Sequence, residues 1–259
     1  MNIEKPMGFE ELFAYTADIF KKIFPRVFII YALLGALPGA LYNAFVKPGA
    51  VSQGIILLLA LALMVLAFLV MFIIFFYTLA GIKNEPLSLN QCFEKIGEAV
   101  WPVITVVIMG ILLIIAVSVA LAIIFGIFTA IGTAMFLPGP KPGTPNPAVG
   151  AVAVLVLIPF ALGIIYLSMR CYFVMNSALM DKTEWFTPFK QSWRLTKGNF
   201  GKVFVFMLIF MAYGYGIVLL KFGTTPLASF VLMLVLSPIP FFLSILFNIL
   251  FFNLYYSKK

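Results

Sequence analysis

A chain of 259 residues that is 64% hydrophobic and only 10% charged, with a mean hydropathy of +1.15, carries far more apolar sequence than a soluble core of that length requires. This composition excludes an ordinary soluble enzyme or binding module and specifies a polytopic membrane protein. A formal charge of +8 would suggest nucleic acid in a soluble protein, but here the placement of lysine and arginine around apolar runs accounts for it, and no nucleic-acid partner is expected.

In chain order, Phe9, Leu12, Phe13, Thr16, Phe20 and Ile23 form an apolar stripe at helical spacing. Glu10 and Glu11 in its first turn and Lys21 and Lys22 in its last each favour the helix dipole, so an interfacial amphipathic helix is predicted ahead of the first span. That span, about 24–45, contains the small-residue pair Gly35 and Gly39. No cleavage-site pattern accompanies it, so it is expected to serve as the insertion signal. Lys47-Pro48-Gly49 turns the chain into an uncharged second span, about 53–80.

Ser88 and Gln91 have the spacing of a capping box, and Leu89, Phe93, Ile96 and Val100 line one face of a second amphipathic helix. The apolar run from Trp101 to Met135 would be about 50 Å long as helix, against a hydrocarbon core of roughly 30 Å. It therefore either protrudes or breaks between Gly126 and Gly132. The proline-rich segment Leu137 to Ala148 reads as an external loop, followed by a fourth span from near Val149, past Pro159, to Met180.

A third amphipathic helix follows, with Thr187 as cap and Pro188 in the first position. Phe186, Phe189, Trp193 and Phe200 share its apolar face, and Gly198-Asn199 provides its stop. Span five covers about 199–220 and span six about 226–256, the latter kinked where Pro238 and Pro240 remove backbone donors. The junctions Phe24-Pro25, Trp101-Pro102 and Phe200-Gly201 align, suggesting three pseudo-repeats over about 7–82, 86–183 and 185–259 within a single integral membrane domain. The expected fold is an all-α bundle of six spans with three cytoplasmic interfacial amphipathic helices.

Lys47, Lys141 and Lys221 fall on one side of this arrangement; every other lysine and arginine, and all nine acidic residues, fall on the other. The positive-inside rule then places both termini in the cytoplasm and the protein in the cytoplasmic, or inner, membrane. Cys92 and Cys171 lie on that side and are expected to be free thiols.

The chain has no histidine, and its carboxylates form no catalytic pair; Glu94 and Glu98, four apart, read as a solvated helix face. A non-catalytic protein without cofactor or metal is expected. Lys190, Arg194 and Lys197 recur at i, i+4 and i+7 beside Phe189 and Trp193, and Lys202 follows; these cations are candidates for anionic lipid headgroups at the cytoplasmic face. Ser237, Ser244, Asn248 and Tyr255 form a polar stripe on span six, read as interhelical glue or a substrate path. Arg170 stands inside an apolar run, where a centred arginine costs about 2.5 to 3.5 kcal/mol on insertion scales. Its relief is expected from snorkelling to an anionic headgroup, or from Glu94 or Glu98.

The segment from Arg170 to Phe206 resembles YciC-like bacterial integral membrane proteins and the membrane domain joined to some glycerophosphoryl diester phosphodiesterases. Arg170, Glu184, Ser192, Trp193, Gly198 and Asn199 carry the likeness. It implies a multi-span membrane domain without an established activity, and the phosphodiesterase catalytic domain has no counterpart in the sequence. The function expected is that of a membrane scaffold or accessory factor engaging lipid or partner helices. The alternative is a transporter or lipid-handling protein working through the kinked sixth span. Whether a protein partner or a second copy takes part stays open.

Overall fold

The computed structural model describes residues 3, 5–36, 53–136, 158, 161–221 and 225–258. Among them every regular element is helical. Helix α1 is Phe9–Tyr31, continued by a π-helical turn, Ala32–Ala36; α2 is Gln53–Lys83 and α3 is Leu89–Phe136. Helix α4 covers 161–170. It is followed by α5 (Val174–Asp181), α6 (Thr187–Thr196), α7 (Phe200–Lys221), α8 (Pro226–Leu236) and α9 (Pro238–Tyr256).

Five stretches of the described residues are long and apolar enough to cross a membrane: Leu57–Lys83, Leu89–Ile124, Ala161–Asp181, Phe200–Leu220 and Phe230–Tyr256. Their side chains fit that reading. Leu58 of α2, Ile114 of α3 and Leu219 of α7 are 67%, 66% and 74% exposed, far beyond what a water-facing surface of clustered leucine and isoleucine would tolerate. The protein is a multi-pass helical membrane protein. Of the first predicted span, residues 24–36 are helical. Its remainder, the Lys47-Pro48-Gly49 turn, the 137–148 loop and most of the start of span four lie outside the described residues.

The chain divides into two compact units, Met1–Val100 with Lys197–Lys259, and Trp101–Thr196. This division does not follow the three-repeat boundaries, because the first repeat, the start of the second and most of the third share the first unit. The boundary itself falls inside α3, at the Trp101-Pro102 junction.

In the first unit α1 packs against α2 and α9, which also pack on each other. Leu12, Thr16, Ile19, Ile23 and Val27 recur at steps of three and four and are all buried. The predicted stripe of α1 thus turns largely toward protein, and the helix does not stop before the first span. It runs unbroken through Pro25. The proline takes the donor from the Lys21 carbonyl, but Phe24 and Phe28 stack at 4.5 Å across it. Phe20, Phe24, Phe28 and Tyr31 all bring their rings within 5.3 to 6.1 Å of Phe241 in α9, so one aromatic row fixes both sides of the proline. At Gly81 of α2 an added Cβ would stand 3.4 Å from both Ile19 and Ile23, which is why the smallest residue occupies the α1–α2 crossing.

The sixth span is interrupted directly before the prolines at which a kink is predicted. Helix α8 ends at Leu236, Ser237 intervenes, and α9 begins at Pro238. Both Pro238 and Pro240 fall in the first turn of the new helix, where the backbone N–H groups have no intrahelical acceptor in any case.

Helix α3 settles the long apolar run: it is one helix of 48 residues, about 72 Å at 1.5 Å per residue, continuous through Pro102, Gly126 and Gly132. Its start is capped as expected, Gln91 Oε1 accepting from Ser88 N–H at 3.0 Å and Ser88 Oγ accepting from Gln91 N–H at 3.3 Å. The buried face, however, is Cys92, Ile96 and Ala99; Leu89, Phe93 and Val100 are exposed. As with α1, no break separates an interfacial helix from its span. Only the third pair, α6 and α7, is separated, by Gly198 in the left-handed region at φ 82°.

The N-terminal segment is held by a residue that composition alone did not single out. Fully buried Asn253 donates from Nδ2 to the carbonyls of Ile3 and Lys5 (3.0 and 2.7 Å) and accepts from Met7 N–H on Oδ1 (3.2 Å). Lys202 adds a bond to the Met7 carbonyl at 2.6 Å. Asn253→Ala should release residues 3–7 and cost about 1–3 kcal/mol, the penalty for stranding buried polar groups. Limited proteolysis of the intact protein in detergent checks this: cleavage ahead of Phe9 should appear in the variant before any other site opens.

Candidate functional site

Immediately after Arg170 the backbone leaves the regular α-helical pattern. Cys171 N–H still reaches Leu167 C=O at 2.9 Å, but Tyr172 N–H bonds to Met169 C=O (3.4 Å) and Val174 N–H to Cys171 C=O (3.1 Å), three residues back. The four-residue step resumes with Ser177 on Phe173 at 2.9 Å. Ser192 of α6 bonds across this slip: its hydroxyl donates to Arg170 C=O at 2.6 Å and accepts from Phe173 N–H at 3.1 Å. The side chain is completely buried, so no water competes for either bond.

The side chain of Arg170 ties the same two elements a second time. Its Nε donates to Tyr166 Oη at 3.1 Å, and Nη1 reaches the Trp193 carbonyl (3.4 Å) and Thr196 Oγ1 (3.3 Å). The guanidinium carbon lies 5.0 Å from the Tyr166 ring centre and 4.9 Å from that of Trp193, and the two rings meet edge to face at 6.0 Å. Each such cation–π contact contributes about 0.5–1 kcal/mol, rising to about 2 when desolvated. The Trp193 carbonyl belongs to the last turn of α6, whose partial negative charge favours a cation. Among the described residues of its unit, Arg170 thus finds relief from two aromatic faces and a helix C-terminus.

Helix α6, docked in this way, has two faces. Pro188, Ser192, Leu195 and Thr196 are buried, at i, i+4, i+7 and i+8. Phe186, Lys190, Trp193 and Arg194 repeat the same spacing on the other side and are exposed, Phe186 at 58% and Trp193 at 43%. The helix starts one residue earlier than its sequence suggests: Lys190 N–H bonds to Phe186 C=O at 3.1 Å, so Phe186 and not Thr187 holds the cap position. The entry is anchored by Trp185, at φ 56°, whose N–H points to Thr105 Oγ1 of α3 at 3.5 Å. Phe189 is half-buried and packs on the cluster formed by Val106, Val174 and Ala178.

No family model, curated protein or solved structure matches the chain. The residues that carried the resemblance nevertheless have definable local roles. Ser192 bridges the break, Trp193 stacks on Arg170, and Gly198 adopts the left-handed stop. The Asn199 carbonyl accepts the first bond of α7, from Val203 N–H at 3.2 Å, and the Glu184 carbonyl accepts from Thr187 N–H, also at 3.2 Å.

The remaining candidates separate. Lys190, Arg194 and Lys197 are exposed, whereas Lys202 is engaged with Met7. On the sixth span Ser237, Asn248 and Tyr255 are buried, and Ser244 donates to Pro240 C=O at 2.8 Å. Ser237 and Ser244 face one cavity with Tyr31 and Tyr213, and Asn248 and Tyr255 lie outside its lining, so the stripe is divided. Sequence reasoning missed Tyr166, Thr196 and Asn253. A tyrosine four residues before an intramembrane arginine was the available signal for the first; the other two act across 26 and about 250 residues and had none.

Ser192→Ala strands one donor and one acceptor and should destabilise the protein by about 1–3 kcal/mol, read as a lowered Tm. Arg170→Lys keeps the charge but loses the planar fork and should fall between wild type and Arg170→Leu. Equal Tm for all three forms would remove the guanidinium from any part in docking α6.

Proposed function

We propose that this chain is a non-catalytic protein of the cytoplasmic membrane that presents α6 as a platform for anionic lipid, acting as a scaffold or accessory factor. The observation that carries this reading is the outward face of α6, where Phe186 and Trp193 alternate with Lys190 and Arg194. Aromatic rings partition into the headgroup region, and the basic heads beside them reach lipid phosphates. The Ser192 and Arg170 contacts support it by holding the opposite face against the broken span, so that the face bearing Phe186, Lys190 and Arg194 is the exposed one. Lys197 continues the basic run; Lys202, bonded to Met7, is the weakest of the proposed headgroup contacts.

Six spans with both termini cytoplasmic complete the proposal, on the lysine and arginine asymmetry, and the likeness to YciC-like proteins is kept as a proposed relationship. A basic residue near an anionic surface contributes about 1 kcal/mol, so Lys190→Ala with Arg194→Ala should lower preferential binding of phosphatidylglycerol over phosphatidylcholine by about thirtyfold. Native mass spectrometry from mixed nanodiscs measures the ratio; an unchanged ratio would exclude α6 as the platform. For topology, buried Ser192 is a poor labelling position and exposed Lys190 a good one. In a background lacking Cys92 and Cys171, an impermeant maleimide applied from outside should label Pro142→Cys and spare Lys190→Cys. The opposite pattern would invert the orientation.

A further inference from the structure

Within the first unit a cavity of about 430 Å³ lies where two interruptions of helical geometry meet. On one side Tyr31 ends α1 and the π-helical turn Ala32–Ala36 begins. On the other, Ser237 separates α8 from α9, whose first turn carries Pro238 and Pro240. Single π turns and proline breaks in spanning helices each cost hydrogen-bond geometry, and they persist where the loosened backbone lines a cavity. Here Tyr31, directly before the π turn, and Ser237 and Pro240, at the proline break, line the same one. The volume falls within the usual range of small-molecule sites, about 300–1,000 Å³.

The lining defines the chemistry. Among the described residues the lining holds four hydroxyl-bearing side chains, Tyr31, Tyr213, Ser237 and Ser244, and no charged one. Ser244 Oγ gives its proton to Pro240 C=O and so presents lone pairs that accept. The rest of the wall is aliphatic, including Met71 and Met233, whose unbranched thioethers adapt to irregular hydrocarbon. An anionic headgroup would find no counter-charge among these residues, and a pure hydrocarbon would make no use of the tyrosine hydroxyls or of the accepting Ser244 oxygen.

We propose that this cavity is a binding site for an uncharged, single-chain amphiphile, a hydrocarbon tail ending in a hydroxyl group. It is separate from the anionic-lipid platform on α6 and does not depend on it. The ligand's hydroxyl exchanges hydrogen bonds with the tyrosine and serine oxygens, and its tail lies along the aliphatic wall.

The test uses hexadecanol carrying a diazirine near its hydroxyl end, photolysed on the full-length protein in nanodiscs, with adducts mapped by peptide mass spectrometry. Adducts should concentrate on peptides containing Met71 and Met233. The matched diazirine hexadecane and hexadecanoate should each label these peptides less, because a lost hydrogen bond or an uncompensated charge weakens binding by about three- to tenfold. Gly214 lines the cavity, and a Cβ added there meets nothing within 4 Å. Gly214→Leu should therefore fill the space with Tm preserved and reduce labelling to that of lipid-facing peptides. Tyr213→Phe with Ser244→Ala, which keep the volume, should erase the preference for alcohol over alkane. Cavity labelling that survives Gly214→Leu, or that is equal for alcohol and alkane in the wild type, would overturn the proposal. Preference for hexadecanoate would overturn the uncharged class.

Discussion

A helix that breaks where water is scarce must have its freed backbone groups bonded from elsewhere, and in the second unit one hydroxyl does this. Ser192 takes the Arg170 carbonyl and the Phe173 N–H together, at 2.6 and 3.1 Å. Losing two buried hydrogen bonds of this kind costs about 1–3 kcal/mol. The position of α6 follows from this, because the serine can serve both groups only if the helix lies directly against the break. Its opposite face is then committed outward.

Arg170 is coupled to the same constraint. Its guanidinium sits between Tyr166, one turn earlier on its own helix, and Trp193, next to Ser192 on the other. The hydroxyl and the guanidinium thus bind neighbouring positions of α6 from neighbouring positions of the broken span. A planar cation with several donors suits this place: it stacks on two rings and still reaches the carbonyl and hydroxyl at the helix end. The aromatic exposed on the platform and the aromatic holding the arginine are the same residue, Trp193, so docking and presentation are linked physically.

The first unit meets the same requirement by different means. Its helices continue through or around prolines, and aromatic rows span the weak points: Phe24 stacks on Phe28 across Pro25, and Phe241, directly after Pro240, receives four rings from α1. Packing is concentrated toward the end of α2 from Val70 onward, while Ile55, Leu57, Leu58, Leu61, Met64 and Val65 remain exposed. Asn253 and Lys202 then bind the N-terminal segment across this packed end.

Much of this was decided within short stretches of sequence. Composition determined the membrane class. The capping box at Ser88 and Gln91, the stop at Gly198 and the bend at Pro238 and Pro240 were legible because each depends on residues within a few positions, where spacing and backbone chemistry suffice. The tertiary structure decided what local chemistry left open or ranked wrongly. Pro25 and Pro102 look like junctions in isolation, yet α1 and α3 pass through them, in α1 because distant Phe241 secures the row. The polar stripe on span six was readable as a helical face, but only the packing shows that its serines line one cavity with Tyr31 and Tyr213. The break after Arg170 has no local cause in Cys171-Tyr172-Phe173; it is supported by a hydroxyl 22 residues later, and bonds of that range cannot be read from periodicity.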